Sequence, residues 1–343
     1  MTSDVLKTSD QIVYARSMSV ELATQVLPAD ASAIADAARV LRAGGLVAFP
    51  TETVYGLGAD AANALAVAKL YAAKGRPSFN PLIAHVVDAA AARALGRFDD
   101  VAGRLAVFWP GPLTLVLPRL TTCPVADLAT AGLNTIAVRV PSHPVAHALL
   151  TAVRGPIVAP SANRSGHVSP TTAAHVRDDL GGRIDLILDD GPASVGLEST
   201  IVACIDAQPL LLRSGALPRA AIEQALGRPL AGGEAAEVKA GEAPLAPGML
   251  SSHYAPSARL RLGATGVEAN EALLAFGSPL PGAVHVRNLS ASGDLVEAAA
   301  NLFSHLRALD AAGVHAIAVM PIPQHGLGEA INDRLARAAA PRA

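Results

Sequence analysis

Apolar positions recur at helical spacing through residues 31–42 and stop at Gly44-Gly45, after which 46–49 is a short apolar run ending at Pro50. This pattern predicts a helix, a tight turn and a buried strand. The alternation continues with a helix over 61–73, strands over 82–87, 113–117 and 135–140, a helix over 144–153, a strand over 156–159 and a helix over 171–180. Strands over 185–188, 199–205 and 210–213 follow, and a helix over 218–226 closes the unit. Strands interleaved with helices predict an α/β fold, a twisted sheet flanked by helices, and the last strands lack crossover helices, so the sheet is mixed. Residues 227–257 are rich in Gly, Pro, Ala and Glu and show no period, as expected of a linker. Beyond them, strands near 259–262, 272–276, 283–286 and 315–320, a helix over 294–309 and a last helix predict a smaller α/β, Rossmann-like domain. The expected division is therefore 1–227, a linker over 228–257, and 258–343.

Composition narrows what such a chain does. Its 343 residues suit two domains, and 51% hydrophobic against 16% charged residues excludes a disordered chain. Aromatics are only 3%, which leaves few rings to stack nucleic-acid bases. The 27 basic and 29 acidic residues are spread evenly and give a net charge of −2, without a polybasic arm. No window offers about 20 continuous apolar residues for a membrane span. Asp4, Lys7, Asp10, Arg16 and Glu21 leave no room for the apolar core of a secretory signal, so the expected location is the cytoplasm. Cys123 and Cys204 are isolated and read as reduced thiols.

Standard nucleotide and hydrolase motifs fail. Residues 191–200 have the glycine spacing of a P-loop but carry Leu197 and Glu198 where its lysine region belongs, and there is no Gly-x-Gly-x-x-Gly after the first strand and no Gly-x-Ser-x-Gly. His143 and His147 flank Pro144 without a third ligand nearby, which favours a helix start over a metal site. Polar residues instead gather at strand ends. The run PTETVYGLGAD (50–60) crowds Thr51, Glu52, Thr53 and Tyr55 after a buried strand, where open α/β sheets bind ligands; an ordinary loop with Asp60 capping the next helix is an equal reading. KGRPSFNPLIAH (74–85) offers Lys74 and Arg76 to phosphates, or to a solvated helix end. The strand period puts Thr135, Ala137 and Arg139 on one face, burying an arginine unless it meets an anion. APSANRSGHVSPT (159–171) collects Ser161, Asn163, Ser165 and Ser169, small donors for anionic oxygens, although Ser169 would equally cap a helix.

In order and in wording, these segments resemble the YrdC-type L-threonylcarbamoyladenylate synthases in the long form with a C-terminal domain. PTETVYGLGA, KGRPSFNPLIAH, WPGPLTLVL, AGLNTIAVRVP, APSANRSGHVSPT, GLESTI, LLRSG and PGMLSSHYAP carry the resemblance over about residues 30–257. One departure is Leu250-Ser251-Ser252, where such chains have a lysine- and tyrosine-bearing stretch. The resemblance implies that Thr53, His85, Arg139, Ala159 and Ser199 surround L-threonine. It implies that Arg76, Asn80, Thr135, Ser161, Ser169, Arg213 and the linker's Tyr254 bind ATP, with Lys74 and Arg76 acting on the phosphates.

The implied reaction joins L-threonine, bicarbonate or CO2, and ATP into threonylcarbamoyl-AMP and pyrophosphate, with Mg2+ accompanying ATP and no metal held by the protein itself. The product serves threonylcarbamoyladenosine formation at position 37 of tRNAs reading ANN codons, through a downstream transferase and with at most a weak tRNA contact. Positioning and charge neutralisation carry such chemistry without a covalent nucleophile. A lid formed by the linker from Pro247 to Pro256 would keep water from the mixed anhydride. The alternatives are a non-catalytic RNA-binding module, which the even charge and scarce aromatics oppose, and a carbamoyl-adenylating relative, which would bring further regions that this chain lacks.

Overall fold

The computed structural model describes residues 22–232, 245–247 and 253–341. Leu250, Ser251 and Ser252 lie outside them. The first sheet contains β1 (Gln25–Pro28), β2 (Val47–Phe49), β3 (Gly56–Asp60), β4 (Ile83–His85), β5 (Leu113–Pro118), β6 (Thr135–Arg139), β7 (Ile157–Val158), β8 (Leu186–Asp189), β9 (Thr200–Ala203), β10 (Leu210–Arg213) and β11 (Ala231–Gly232). Their spatial order is β1-β8-β2-β3-β7-β4-β6-β5-β9-β10-β11, a mixed sheet of 11 strands. The connecting helices are α1 (Ala31–Arg42), α2 (Ala64–Lys74), α3 (Ala89–Arg93), α4 (Asp100–Leu105), α5 (Pro144–Val153), α6 (Ala173–Leu180) and α7 (Arg219–Leu226).

Local chemistry explains the boundaries. Asp30 starts α1 by accepting a hydrogen bond from Ala33 N at 2.8 Å, and Ala33, Ala37, Ala38 and Leu41 form its buried stripe. Helix α2 begins at Ala64 and not at 61, because Asn63 accepts from the amides of Leu65 and Ala66 while Asp60 holds only the preceding turn at Ala62. The segment read as a loop over 50–60 is half strand. Its glycines give β3 low strand propensity, yet β3 pairs antiparallel with both β2 and β7 and so closes the gap between them. Short or exposed elements were equally invisible to periodicity: β1, α3, α4 and β11.

A second sheet, β12 (Arg259–Arg261), β15 (Ala316–Val319), β13 (Glu271–Ala275) and β14 (Val286–Asn288) in that order, is parallel throughout. Its helices are α8 (Leu295–Ala311) and α9 (Leu327–Ala339). The strand expected over 283–286 sits slightly later, at β14. This unit does not stand apart from the first. Val54, Val168 and Leu197, all from loops of the large sheet, belong to the same apolar cluster as Leu302, Phe303 and Ile331. Gly196 marks the closest approach: a Cβ there would lie 2.4 Å from Ala299 O and 2.6 Å from Ala300 Cα, and its φ is +76°. Among the described residues no helix is long and apolar enough to cross a membrane.

Gly196→Ala adds a backbone clash to a left-handed conformation, and should cost more than the roughly 1–2 kcal/mol of the conformation alone. Gly191→Ala, with φ +77° and nothing within 4 Å, isolates the conformational part. Urea unfolding of the two variants checks this: equal destabilisation would mean that the seam at Gly196 can yield.

Candidate active site

The polar strand ends meet in one cavity. It is lined by Thr53 after β2, Arg76 after α2, His85 at the end of β4, Arg139 at the end of β6, Ala159 and Ser161 after β7, Ser199 before β9, and Arg213 at the end of β10. Glu198 and the linker residues Pro247, His253 and Tyr254 add to the wall of this partly open cavity. All five positions expected around threonine therefore converge, together with Arg76, Ser161, Arg213 and Tyr254 of those expected around ATP.

The other four lie elsewhere. Lys74 is buried behind the cavity, where Nζ donates to Ser161 O at 2.6 Å and to Asn163 O. Burial and the nearby Arg76 push its pKa well below the ordinary lysine value. Nζ thus ties down the loop that presents Ser161, and the expected phosphate contact is not its geometry here. Asn80 is buried with its Oδ1 unpartnered, while its carbonyl accepts from Tyr71 Oη and Arg76 Nε. Thr135 starts β6, four residues from Arg139 and hence roughly 13 Å away along the strand. Ser169 caps no helix, since Thr172 caps α6; its hydroxyl donates to Glu198 Oε1 at 2.5 Å.

The arginines are satisfied in two different ways. Arg139, 4% exposed, does meet an anion, but an internal one: Nη2 donates to Glu52 Oε1 at 2.7 Å. Burial would raise the Glu52 pKa, and Arg139 outweighs it, holding the carboxyl below its ordinary value. Among the described residues, Arg76 and Arg213 have only uncharged hydrogen-bond partners, carbonyls and the Ser199 hydroxyl. Arg76 donates to Asn80 O and Pro81 O, and Arg213 donates to Ser199 O at 2.8 Å, to Ser199 Oγ at 3.2 Å and to Pro247 O at 3.3 Å. A carbonyl accepts a hydrogen bond without cancelling a charge, so these two cations leave a positive field in the cavity. Burial lowers the Arg76 pKa to about 10, which keeps it charged at neutral pH. Ser199 Oγ pairs with Thr114 Oγ1 at 2.7 Å, a hydroxyl partner and not a general base.

His85 is a fixed acceptor. Burial, with Arg139 beside it, pushes its pKa down to about 3, and Nδ1 lies 3.2 Å from Ile83 O. A carbonyl only accepts, so Nδ1 carries the proton and Nε2 presents its lone pair. Glu52 fell within a strand-end cluster marked in the sequence, and Glu198 lies in the polar run before β9, but nothing in the spacing showed that they pair with Arg139 and Arg334. Arg334 did carry a signal: on α9 it falls with Ile331, Leu335 and Ala338 on the apolar stripe, where a charge requires a partner.

The fold and cavity define a two-domain α/β protein whose first domain binds anions at its strand ends. The chain belongs to the Sua5/YciO/YrdC family, whose description "Telomere recombination" matches residues 39–215, while "Threonylcarbamoyl-AMP synthase, C-terminal domain" matches residues 217–340. It is 41% identical over 332 residues to the Bacillus subtilis threonylcarbamoyl-AMP synthase, covering 90% of this chain and 93% of the relative. A Pyrococcus abyssi protein of the same name is 41% identical over 320 residues, covering 88% and 92%. The crystal structure of P. abyssi Sua5 with L-threonine superposes at a TM-score of 0.84 with 38% identity, over 93% of this chain and 97% of that one.

His85 and His253 are both pushed to about 3 by burial. Unfolded histidine titrates near 6.5, so between about pH 6.5 and 3 the unfolded chain binds protons that the folded chain refuses, and stability falls with pH. The slope is up to about 1.4 kcal/mol per pH unit for each. Urea midpoints should drop from pH 6.5 to 4.5, and His85→Gln with His253→Gln should flatten that decline; an unchanged slope would assign the acid sensitivity to other groups.

Proposed function

We propose that this chain forms threonylcarbamoyl-AMP and pyrophosphate from L-threonine, bicarbonate or CO2, and ATP. The observation that carries this reading is the single cavity: every position expected around threonine opens onto it, beside two arginines that no carboxylate of the described residues is hydrogen-bonded to. Threonine would lie with its carboxylate on the edge of Arg139 left by Glu52 and its amine or hydroxyl toward the His85 Nε2 lone pair. The amine takes up CO2 as a carbamate, and a carbamate oxygen attacks the α-phosphorus in line while pyrophosphate leaves. Two anions have to be brought together for that step, and Arg76 and Arg213 would supply the counter-charge.

Mg2+ would enter with the triphosphate and neutralise phosphate oxygens. Among the described residues no group of three His, Cys, Asp or Glu side chains is arranged to hold a metal, and Mg2+ held mainly by phosphates and water needs none. Pro247, His253 and Tyr254, from the two ends of the linker, form part of the cavity wall. These flanks of the linker would therefore act as a lid that opens for the nucleotide and closes over the adenylate. The adenylate would then pass to a transferase acting on tRNA, in keeping with cytoplasmic residence.

Pyrophosphate release should require threonine and bicarbonate together. Equal release with threonine omitted would sink this reading, and serine should react less well because its missing methyl removes about 1 kcal/mol of apolar contact. Arg139→Lys keeps the charge and loses the planar fork, so threonine affinity measured by calorimetry should fall ten- to a hundredfold, about 1.4–2.8 kcal/mol. Unchanged affinity on folded protein would remove Arg139 from the threonine site.

A further inference from the structure

The wall of the cavity nearest the second domain is held by a charge that the second domain supplies. Arg334, on α9, is completely buried at the junction. Its Nε donates to Glu198 Oε2 at 2.9 Å, its Nη2 to Ser214 O at 2.9 Å and its Nη1 to Asp333 at 2.5 Å. The guanidinium carbon also lies 5.2 Å from the centre of the Tyr254 ring. Glu198 lines the cavity, and its second oxygen accepts from Ser169. The backbone of that serine is gripped from the same domain, since Arg307 of α8 donates to Val168 O, to Ser169 O at 3.4 Å and to Asp179 at 2.6 Å.

We propose that Arg334 is a positioning residue: by fixing Glu198 it holds Ser169 in place and keeps Glu198 from capturing Arg213, so the second domain completes the active site. The competition follows from charge. Glu198 is a buried carboxylate within the field of two guanidinium groups, Arg334 and Arg213, and only Arg334 is hydrogen-bonded to it. Arg213 is occupied by carbonyls, which leaves its charge for a substrate anion. Removing Arg334 leaves Glu198 buried and unpaired, and the nearest remaining guanidinium is the one the phosphates need. The backbone that carries Glu198 is itself closely packed, since a Cβ on Gly215 would lie 2.4 Å from Glu198 O and 2.5 Å from Thr200 N.

This inference rests on the proposed reaction, and the test keeps the two apart. The full-length chain is assayed for pyrophosphate release with threonine and bicarbonate; inactivity of the intact chain would count against the reaction itself. Given activity, Arg334→Met should raise the KM for ATP tenfold or more and move the KM for threonine less than threefold. Adding Glu198→Gln to Arg334→Met should bring the ATP KM back to within about threefold of the intact chain, because a neutral amide no longer competes for Arg213. If Arg334→Met does not fold, Arg334→Lys takes its place, with an ATP KM raised three- to tenfold and the same recovery on adding Glu198→Gln. A merely structural arginine would lower the melting temperature and the active fraction, shift both KM values equally or not at all, and gain nothing from the second substitution. Either of those results would overturn the proposal.

Discussion

Buried arginine has to be answered by something, and the kind of answer at each arginine sets the character of this cavity. Arg139 and Arg334 are answered by carboxylates, Glu52 and Glu198, while Arg76 and Arg213 are answered by backbone carbonyls and, for Arg213, the Ser199 hydroxyl. In the first pair of cases charge is cancelled and geometry is fixed. In the second the donors are satisfied and the charge survives. A buried ion pair adds little stability compared with a well-packed apolar pair, whereas losing one partner costs roughly 3–5 kcal/mol. The two pairs are thus better understood as placing groups than as stabilising the fold. The strand ends, the glycine contacts and the docking of the second domain all serve that placement.

Much of this was legible in the chain. Periodicity revealed the long helices and buried strands, since α1 and α5 carry clean apolar stripes and β5 and β6 are nearly continuous apolar runs. Strand-end clusters of hydroxyls and cations marked the cavity. What was not legible depended on contacts far apart in sequence. β3 is a strand because of its neighbours and not its composition. Lys74 could be recognised as notable, but its carbonyl partners at Ser161 and Asn163 lie 87 and 89 residues away. Arg139 was correctly placed inside the sheet from the strand period, while its partner Glu52 had no period to reveal it. Ser169 satisfied a capping rule that Thr172 in fact fulfils.

The second domain does more than trail behind the linker. Its α8 and α9 reach the loops around Ser169, Glu198 and Ser214, and Arg219 and Ser214 are both joined to Glu329. Tyr254 sits in the same seam, stacked 5.6 Å from Phe303 while facing the cavity. The linker is consequently anchored to the surface that also fixes the catalytic wall, and a movement at either one is felt by the other.

The long sequence separation of the Arg334 to Glu198 pair has a consequence for the protein's synthesis. The ribosome adds 136 residues after Glu198 before its partner exists, which at 5–20 residues per second is on the order of ten seconds. Once Gly232 has been added the first sheet has all its strands, yet for the rest of that interval the loop bearing Glu198 holds a carboxylate without its guanidinium and a seam without its apolar cover. The nascent domain is accordingly a shape without a working wall, and competence arrives with one of the last helices to emerge.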